Sequence, residues 1–182
     1  EGKPIRKGEV DYMNVAIRKF EERDIVNKIK WINDERNNRY LHYNLPLEYE
    51  NTCLWFNKIQ KSEDRYDAVI EVDDVAVGLT GLLSIDRKNS KAEYYIMIGC
   101  HEYKGRGIAS KATELILKYG FYKLGLNKIY LYTEIGNIAA QKLFEKIGFK
   151  KEGLLKNDLI CNGRKIDRFV YALLAEEYVR NK

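Results

Sequence analysis

Apolar positions along the chain follow two rhythms, one of period two and one of three to four, and their order predicts the elements. "NVAIRKF" alternates as a strand, and "EERDIVNKIKWINDE" then spaces Ile25, Ile29 and Ile32 along one side of a helix. "LPLEYENTCLWFNKIQ" predicts a second helix, with Leu54, Trp55 and Ile59 on its buried side. Period two then takes over: "YDAVIEV", a turn at Asp73 and Asp74, "VAVGLTGLLSI" and "AEYYIMIG" read as three strands in hairpin succession. Ile108, Ala112, Leu115, Ile116 and Tyr119 return to helical spacing, "NKIYLYTEI" is a strand, and "NIAAQKLFEKIGF" is a helix. Its stripe of Ala140, Leu143, Phe144 and Ile147 ends at the stop signal Gly148. Asn162 and Gly163 mark a final hairpin, so two antiparallel strands are expected to finish the fold. Residues 1–13 carry no period and read as a loose leader ahead of a single domain at 14–182. The expected class is α+β with a largely antiparallel sheet.

Composition narrows the function classes more than the fold. With 182 residues, 45% hydrophobic and 32% charged, the chain has the balance of one folded domain and not of a disordered one. No apolar run approaches the roughly 18 residues that cross a bilayer, and "EGKPIRKGEV" lacks the apolar core of a signal peptide. A cytoplasmic protein without a membrane partner is expected. Cys53, Cys100 and Cys161 are scattered, and His42 and His101 are the only histidines, so no metal site is expected. The net charge of +5 is modest but uneven: residues 101–151 hold ten Lys or Arg against four Asp or Glu, while 48–74 hold eight acids against three bases. That asymmetry suits an anionic partner in the C-terminal half and hints at a cationic one, such as a polyamine, nearer the N-terminus. Two solvated faces would look the same. A nucleic-acid face is disfavoured, because the basic stretch lacks interleaved exposed aromatics.

The stretch "HEYKGRGIASKA" at 101–112 places Gly105 and Gly107, with Lys104, Arg106 and Lys111, between a strand and a helix. Glycine is a poor helix cap beside Ser or Asp, so its presence needs another reason. Free backbone N–H groups and the positive end of the helix dipole converge there, and a missing Cβ lets an anion reach the main chain. The string matches neither a P-loop nor the dinucleotide fingerprint, since Ser110 stands where a third glycine would be. A plain tight turn is the alternative.

"KGRGIASKA", followed about thirty residues later by "NIAAQKLFEKIGF", resembles the GNAT family of acetyl-CoA-dependent N-acetyltransferases. The family string [R/Q]-x-x-G-x-[G/A] is similar to the run Lys104, Gly105, Arg106, Gly107, Ile108 and Ala109, with Lys104 replacing the usual Arg or Gln. An Asn that opens a helix ending in [Y/F]-x-x-x-G-F is matched by Asn137, Phe144, Gly148 and Phe149. The resemblance implies a mixed central sheet flanked by helices on both faces. It implies acetyl-CoA as co-substrate, its pyrophosphate on the amides from Lys104 through Ser110 and its pantetheine arm held by Asn137, whose plainer role is a helix N-cap. "GF.KEG" and "NGRKIDRFVYAL" look like the branch with ribosomal-protein alanine, spermidine and nucleotide-amino-sugar acetyltransferases. The acceptor implied is a small-molecule amine or a peptide N-terminus, attacked directly; Trp55, Phe56 and the Tyr-rich "NNRYLHYNLPLEY" could line a sugar-nucleotide pocket or grip a peptide N-terminus as well as the acids could attract a polyamine.

Such a reaction needs a route for the amine's proton, a donor for the oxyanion and relief of the leaving thiolate. Glu93, opening "EYYIMIG", is the leading candidate for the proton path, with Glu71 and Tyr132 behind it. A backbone N–H near Met97 or Ile98 would meet the oxyanion in the family. Phe144 departs from the family's Tyr and cannot donate a proton. Tyr94, Tyr95, Tyr130 and Tyr132 could substitute, or the chain could be an acetyl-CoA sensor with little turnover. Cys100 and His101 read as structural. The hairpin at 154–174 could present an edge to a second copy, giving a homodimer.

Overall fold

The computed structural model describes residues 13–180. Its seven strands are β1 (Val15–Lys19), β2 (Tyr66–Val72), β3 (Val75–Asp86), β4 (Lys91–Ile98), β5 (Lys128–Glu134), β6 (Lys150–Cys161) and β7 (Arg164–Leu174). They form one sheet in the order β1-β2-β3-β4-β5-β7-β6, antiparallel throughout except for β4 beside β5. Helices α1 (Ile25–Asn33), α2 (Glu35–Asn38) and α3 (Tyr49–Ile59) lie between β1 and β2. Helix α4 (Ile108–Lys118) joins β4 to β5, α5 (Ile138–Ile147) joins β5 to β6, and α6 (Ala175–Arg180) follows β7. Residues 1–12 of the expected leader lie outside the described residues, while Met13 packs against the cluster that holds Ile70, Val72 and Ile108.

Turn chemistry sets the hairpins. Asp73 and Asp74 adopt φ of 50° and 66°, and Asn162 and Gly163 adopt 50° and 74°. Positive φ at both central residues gives a turn whose twist matches that of the flanking strands. Strand alternation then divides the core in two. On one face Val69 and Leu79 meet Phe20, Ile25 and Trp31, with the rings of Trp55 and Phe56 packed on them. On the other, Ala68, Leu82, Tyr94, Ile129 and Leu131 meet Ile116, Leu117 and Phe144 from α4 and α5. Helices therefore cover both faces, as the expected fold requires. Ile70 opposes Gly78 but Glu71 opposes Ala76, so Val77 is an extra residue that joins the second face beside Ile108.

Two expectations are corrected. Leu54 is 67% exposed, because α3 turns Thr52 inward and presents Trp55 and Phe56 to Phe20 at 5.5 and 5.9 Å. The final hairpin does not finish the fold: α6 follows, and its Tyr178 is buried 5.2 Å from Phe121.

A buried lysine lies in the first layer. Lys28 is 7% exposed, with Nζ 4.4 Å from the centre of the Trp55 ring and 5.1 Å from that of Tyr43. Burial pushes its ammonium down to about 8, with Asp67 opposing the fall and Arg65 adding to it. An unfolded lysine titrates near 10.4, so at intermediate pH the unfolded chain binds a proton that the folded chain has lost. The charged form is the one the fold disfavours, and stability is therefore expected to rise from about pH 8 to about pH 10. Urea unfolding of Lys28→Met should show higher stability than the parent at pH 7 and no such rise. An identical slope in both proteins would show that the amine is fully charged when folded.

Candidate active site

The one parallel pairing in the sheet is short. β4 and β5 match only at Lys91–Lys128, Ala92–Ile129 and Glu93–Tyr130. Beyond these pairs β4 stays with β3 to Ile98, and β5 stays with β7 to Glu134, so the two strands part. Backbone groups of 94–98 and 131–134 that face the gap have no strand across from them, and such groups need a partner. Below the opening Phe144 packs edge-on against Tyr94 and Phe149, with ring centres 6.2 and 5.8 Å away. The opening is a cleft of about 640 Å³.

The glycine loop lies at its mouth. Gly105 and Gly107 have φ of 74° and 79°, the left-handed region that side chains resist. A Cβ on either would meet nothing within 4 Å, so no packing demands glycine there; the backbone conformation does, and it leaves open space beside the main chain. Gly107 caps α4, whose first turn is anchored by buried Ile108 and Ala112. Helix geometry leaves the first amides of α4 without intrahelical partners.

Glu93, Met97, Ile98, Lys104, Gly105, Gly107, Ile108, Ala109, Ser110, Asn137 and Phe144 all line this cleft, and Tyr132 joins them. Arg106 does not line it; its guanidinium is 5.8 Å from the centre of the Tyr103 ring. The Lys104 ammonium meets Asn37 Oδ1 at 2.5 Å, and Asn37 Nδ2 donates to the carbonyls of Trp31 and Gly99 at 3.0 and 2.9 Å. Asn137 Oδ1 accepts from the Ala140 N–H at 3.2 Å, so its cap role is filled while the residue also borders the cleft. Glu71 is far from this work, ion-paired with Arg18 at 2.6 Å.

Alternation along β4 and β5 sorts the side chains by face. Tyr94, Ile129 and Leu131 belong to the core under α4 and α5. Glu93 and, on β5, Tyr132 and Glu134 therefore face the opposite side, toward α1 and the chain that follows it. Burial raises the Glu93 carboxyl above the ordinary glutamate value, and the Arg168 charge opposes that rise. The Arg168 guanidinium stacks 4.4 Å from the Tyr132 ring centre and is ion-paired with Asp158. Neither Tyr94 nor Tyr95 holds a ready proton: burial raises both phenols well above their usual range. Tyr94 Oη is hydrogen-bonded to Thr113 at 2.8 Å, and Tyr95 Oη donates to Asp67 at 2.8 Å. Burial also pushes the Cys100 thiol up, which disfavours a thiolate nucleophile.

Thr133 and Glu134 escaped the sequence reading, whereas the Tyr-rich stretch 37–49 does border the site. His42 Nε2 is 3.3 Å from Glu134 Oε1, and Tyr40 Oη donates to the Gly136 carbonyl at 3.0 Å, tying the chain after α2 to the end of β5. Thr133 Oγ1 is buried without a hydrogen-bond partner and lines the cleft. A second cavity of about 1240 Å³ opens between residues 38–45 and the β6–β7 hairpin, sharing Tyr40, Leu41, His42 and Glu134 with the cleft. No residue of the acidic segment 48–74 lines either space. Asp67 and Glu71 of that segment are spent on Arg65 and Arg18.

Comparison with known proteins agrees with this geometry. An acetyltransferase (GNAT) domain model matches residues 14–150. The spermidine N(1)-acetyltransferase of Escherichia coli (strain K12) is 34% identical over 119 residues, 65% of this chain and 62% of that protein. The spermidine N(1)-acetyltransferase of Vibrio cholerae is 31% identical over 160 residues, 87% of this chain and 92% of that protein. A crystal structure of spermidine N-acetyltransferase from Vibrio cholerae in complex with CoA and spermine superposes with a TM-score of 0.84 at 28% identity, covering 91% of this chain and 98% of that one. The chain belongs to the GNAT acetyltransferase family, and it is an N-acetyltransferase.

The state of Glu93 is directly testable. Its side-chain ¹³C resonance should titrate above the ordinary glutamate range of about 4.3, and Arg168→Met should move the midpoint higher still. A midpoint at or below that range would place the carboxylate in open solvent.

Proposed function

We propose that the chain transfers an acetyl group from acetyl-CoA to a primary amine by direct attack. The observation that carries this reading is the Gly105–Gly107 loop opening onto the gap between the parted strands. Open space beside the loop accepts a pyrophosphate on main-chain amides, and unpaired strand edges accept the amides of a pantetheine arm. Thr133 Oγ1, buried without a protein partner, supplies a further hydrogen bond inside the cleft. The CoA held by the related Vibrio protein supports the same assignment.

In this account the amine nitrogen bonds to the thioester carbon, the C–S bond breaks, and CoA leaves as thiolate. A backbone N–H at Met97 or Ile98 stabilises the oxyanion, an effect worth roughly 3 kcal/mol where such donors have been removed from other enzymes. Glu93 attracts the ammonium on the far face and belongs to its proton path. Phe144 gives no proton to the thiolate. The leaving group tolerates this, since a thiol with a pKa near about 8.5 departs acceptably at neutral pH. The sensor reading rested on Phe144 alone, and relatives named as acetyltransferases do not favour it.

Two acceptor classes rest on different observations. The relatives' names support a polyamine. The outer cavity supports an amine that carries an anionic group: Arg39, Arg164 and Lys165 line it, whereas its Glu134 is beside His42 and its Asp167 accepts from the Asn157 N–H at 2.7 Å. Thiol release with acetyl-CoA and a panel of spermidine, glucosamine, glucosamine 6-phosphate and an alanyl peptide separates them. Faster turnover of the phosphorylated sugar than of the neutral one is the mark of the second class; no release with any amine contradicts acetyl transfer.

For the donor site, calorimetry should show that Gly107→Glu abolishes acetyl-CoA binding in a protein that remains folded. Gly107→Ala should keep most of the affinity and lose only about 1–2 kcal/mol of stability to left-handed strain. Undiminished affinity in the glutamate variant would remove the site from this loop.

A further inference from the structure

We propose that His42 is the base that takes the proton from the acceptor amine, with Glu134 holding its ring; the inference rests on the acetyl-transfer reading above. His42 is in the chain between α2 and α3 and borders both the cleft and the outer cavity, so an amine passing from one to the other passes this imidazole. Its position is built rather than incidental. Tyr40 Oη binds the Gly136 carbonyl at 3.0 Å on one side of it. On the other, Asn33 brackets Leu47, donating to its carbonyl at 2.9 Å and accepting from its N–H at 2.7 Å.

Glu134 ends β5, on the same face as Glu93 and Tyr132, and its Oε1 is 3.3 Å from His42 Nε2. The side chains are 27% and 19% exposed, enough contact with water to return a proton to solvent. A carboxylate facing Nε2 keeps the hydrogen on that nitrogen and leaves the lone pair on Nδ1.

The step balances without another reagent. An N–H bond of the ammonium breaks, its electron pair stays on nitrogen, and Nδ1 gains the hydrogen as imidazolium beside the Glu134 carboxylate. The neutral amine then attacks, and the imidazolium later gives its proton to water. Glu93, at the narrow end of the cleft, attracts the cation that His42 discharges.

The test measures thiol release with acetyl-CoA and spermidine, or with the fastest amine of the panel above. His42→Ala should lose about a hundredfold in kcat while keeping its acetyl-CoA affinity, and added imidazole should restore part of the rate. Glu134→Gln should lower kcat by less, and should add nothing further in the His42→Ala background, as expected of a group that acts through the histidine. If His42→Ala fails to fold, His42→Gln, which lacks a basic nitrogen, should show the same loss. A histidine variant within threefold of the parent, or an alanine variant deaf to imidazole, overturns the proposal and leaves acetyl transfer standing. A parent that releases no thiol overturns the underlying reading instead.

Discussion

The site depends on three residue pairs. Pairing of Lys91, Ala92 and Glu93 with β5 locks two parallel strands together at one end, and the absence of a fourth pair lets them part. Each strand keeps its full ladder on the outer side, β4 with β3 and β5 with β7, so the gap does not unravel the sheet. What it leaves is two facing edges of unpaired peptide groups, which inside a protein call for a hydrogen-bonding guest. A partner made partly of amide units, such as pantetheine, meets that need as a third strand would.

Alternation turns this gap into a passage between two chemistries. Even-numbered residues of β4 build the core under α4, where the glycine loop and the first helix amides await an anion. Glu93, Tyr132 and Glu134 emerge on the other face, Glu134 beside His42, on the side proposed for the amine. In the proposed reaction, donor and acceptor enter from opposite sides and meet at the point of parting. The aromatic packing of Phe144 on Tyr94 and Phe149 keeps that point rigid, and Tyr94 and Tyr95 spend their hydroxyls on Thr113 and Asp67. The phenols of Tyr94 and Tyr95 thus serve as structural ties, which fits the proposal that a carboxylate and an imidazole handle the proton.

Local signals carried much of this into the sequence. Period-two runs and turn pairs such as Asp73-Asp74 and Asn162-Gly163 act within a few residues, and the strands they predict are present. The paired glycines before α4 were legible because their left-handed backbone is a local demand. Leu54 was misread because helical spacing does not say which side of α3 meets Phe20. The acid-rich run 48–74 hints at a cationic partner without locating it, because charge counted along a chain does not show that Asp67 and Glu71 are paired with Arg65 and Arg18 in space. The pairing of His42 with Glu134 escaped because they are 92 positions apart and only the fold brings them to 3.3 Å.

Hydrogen exchange of the backbone, with and without coenzyme A, tests the central claim most directly. Amides of residues 94–98, 105–110 and 131–134 should gain protection together, while the β6–β7 hairpin exchanges as before. Unchanged exchange across the parted strands, or protection gathered elsewhere, would contradict a donor lying between β4 and β5.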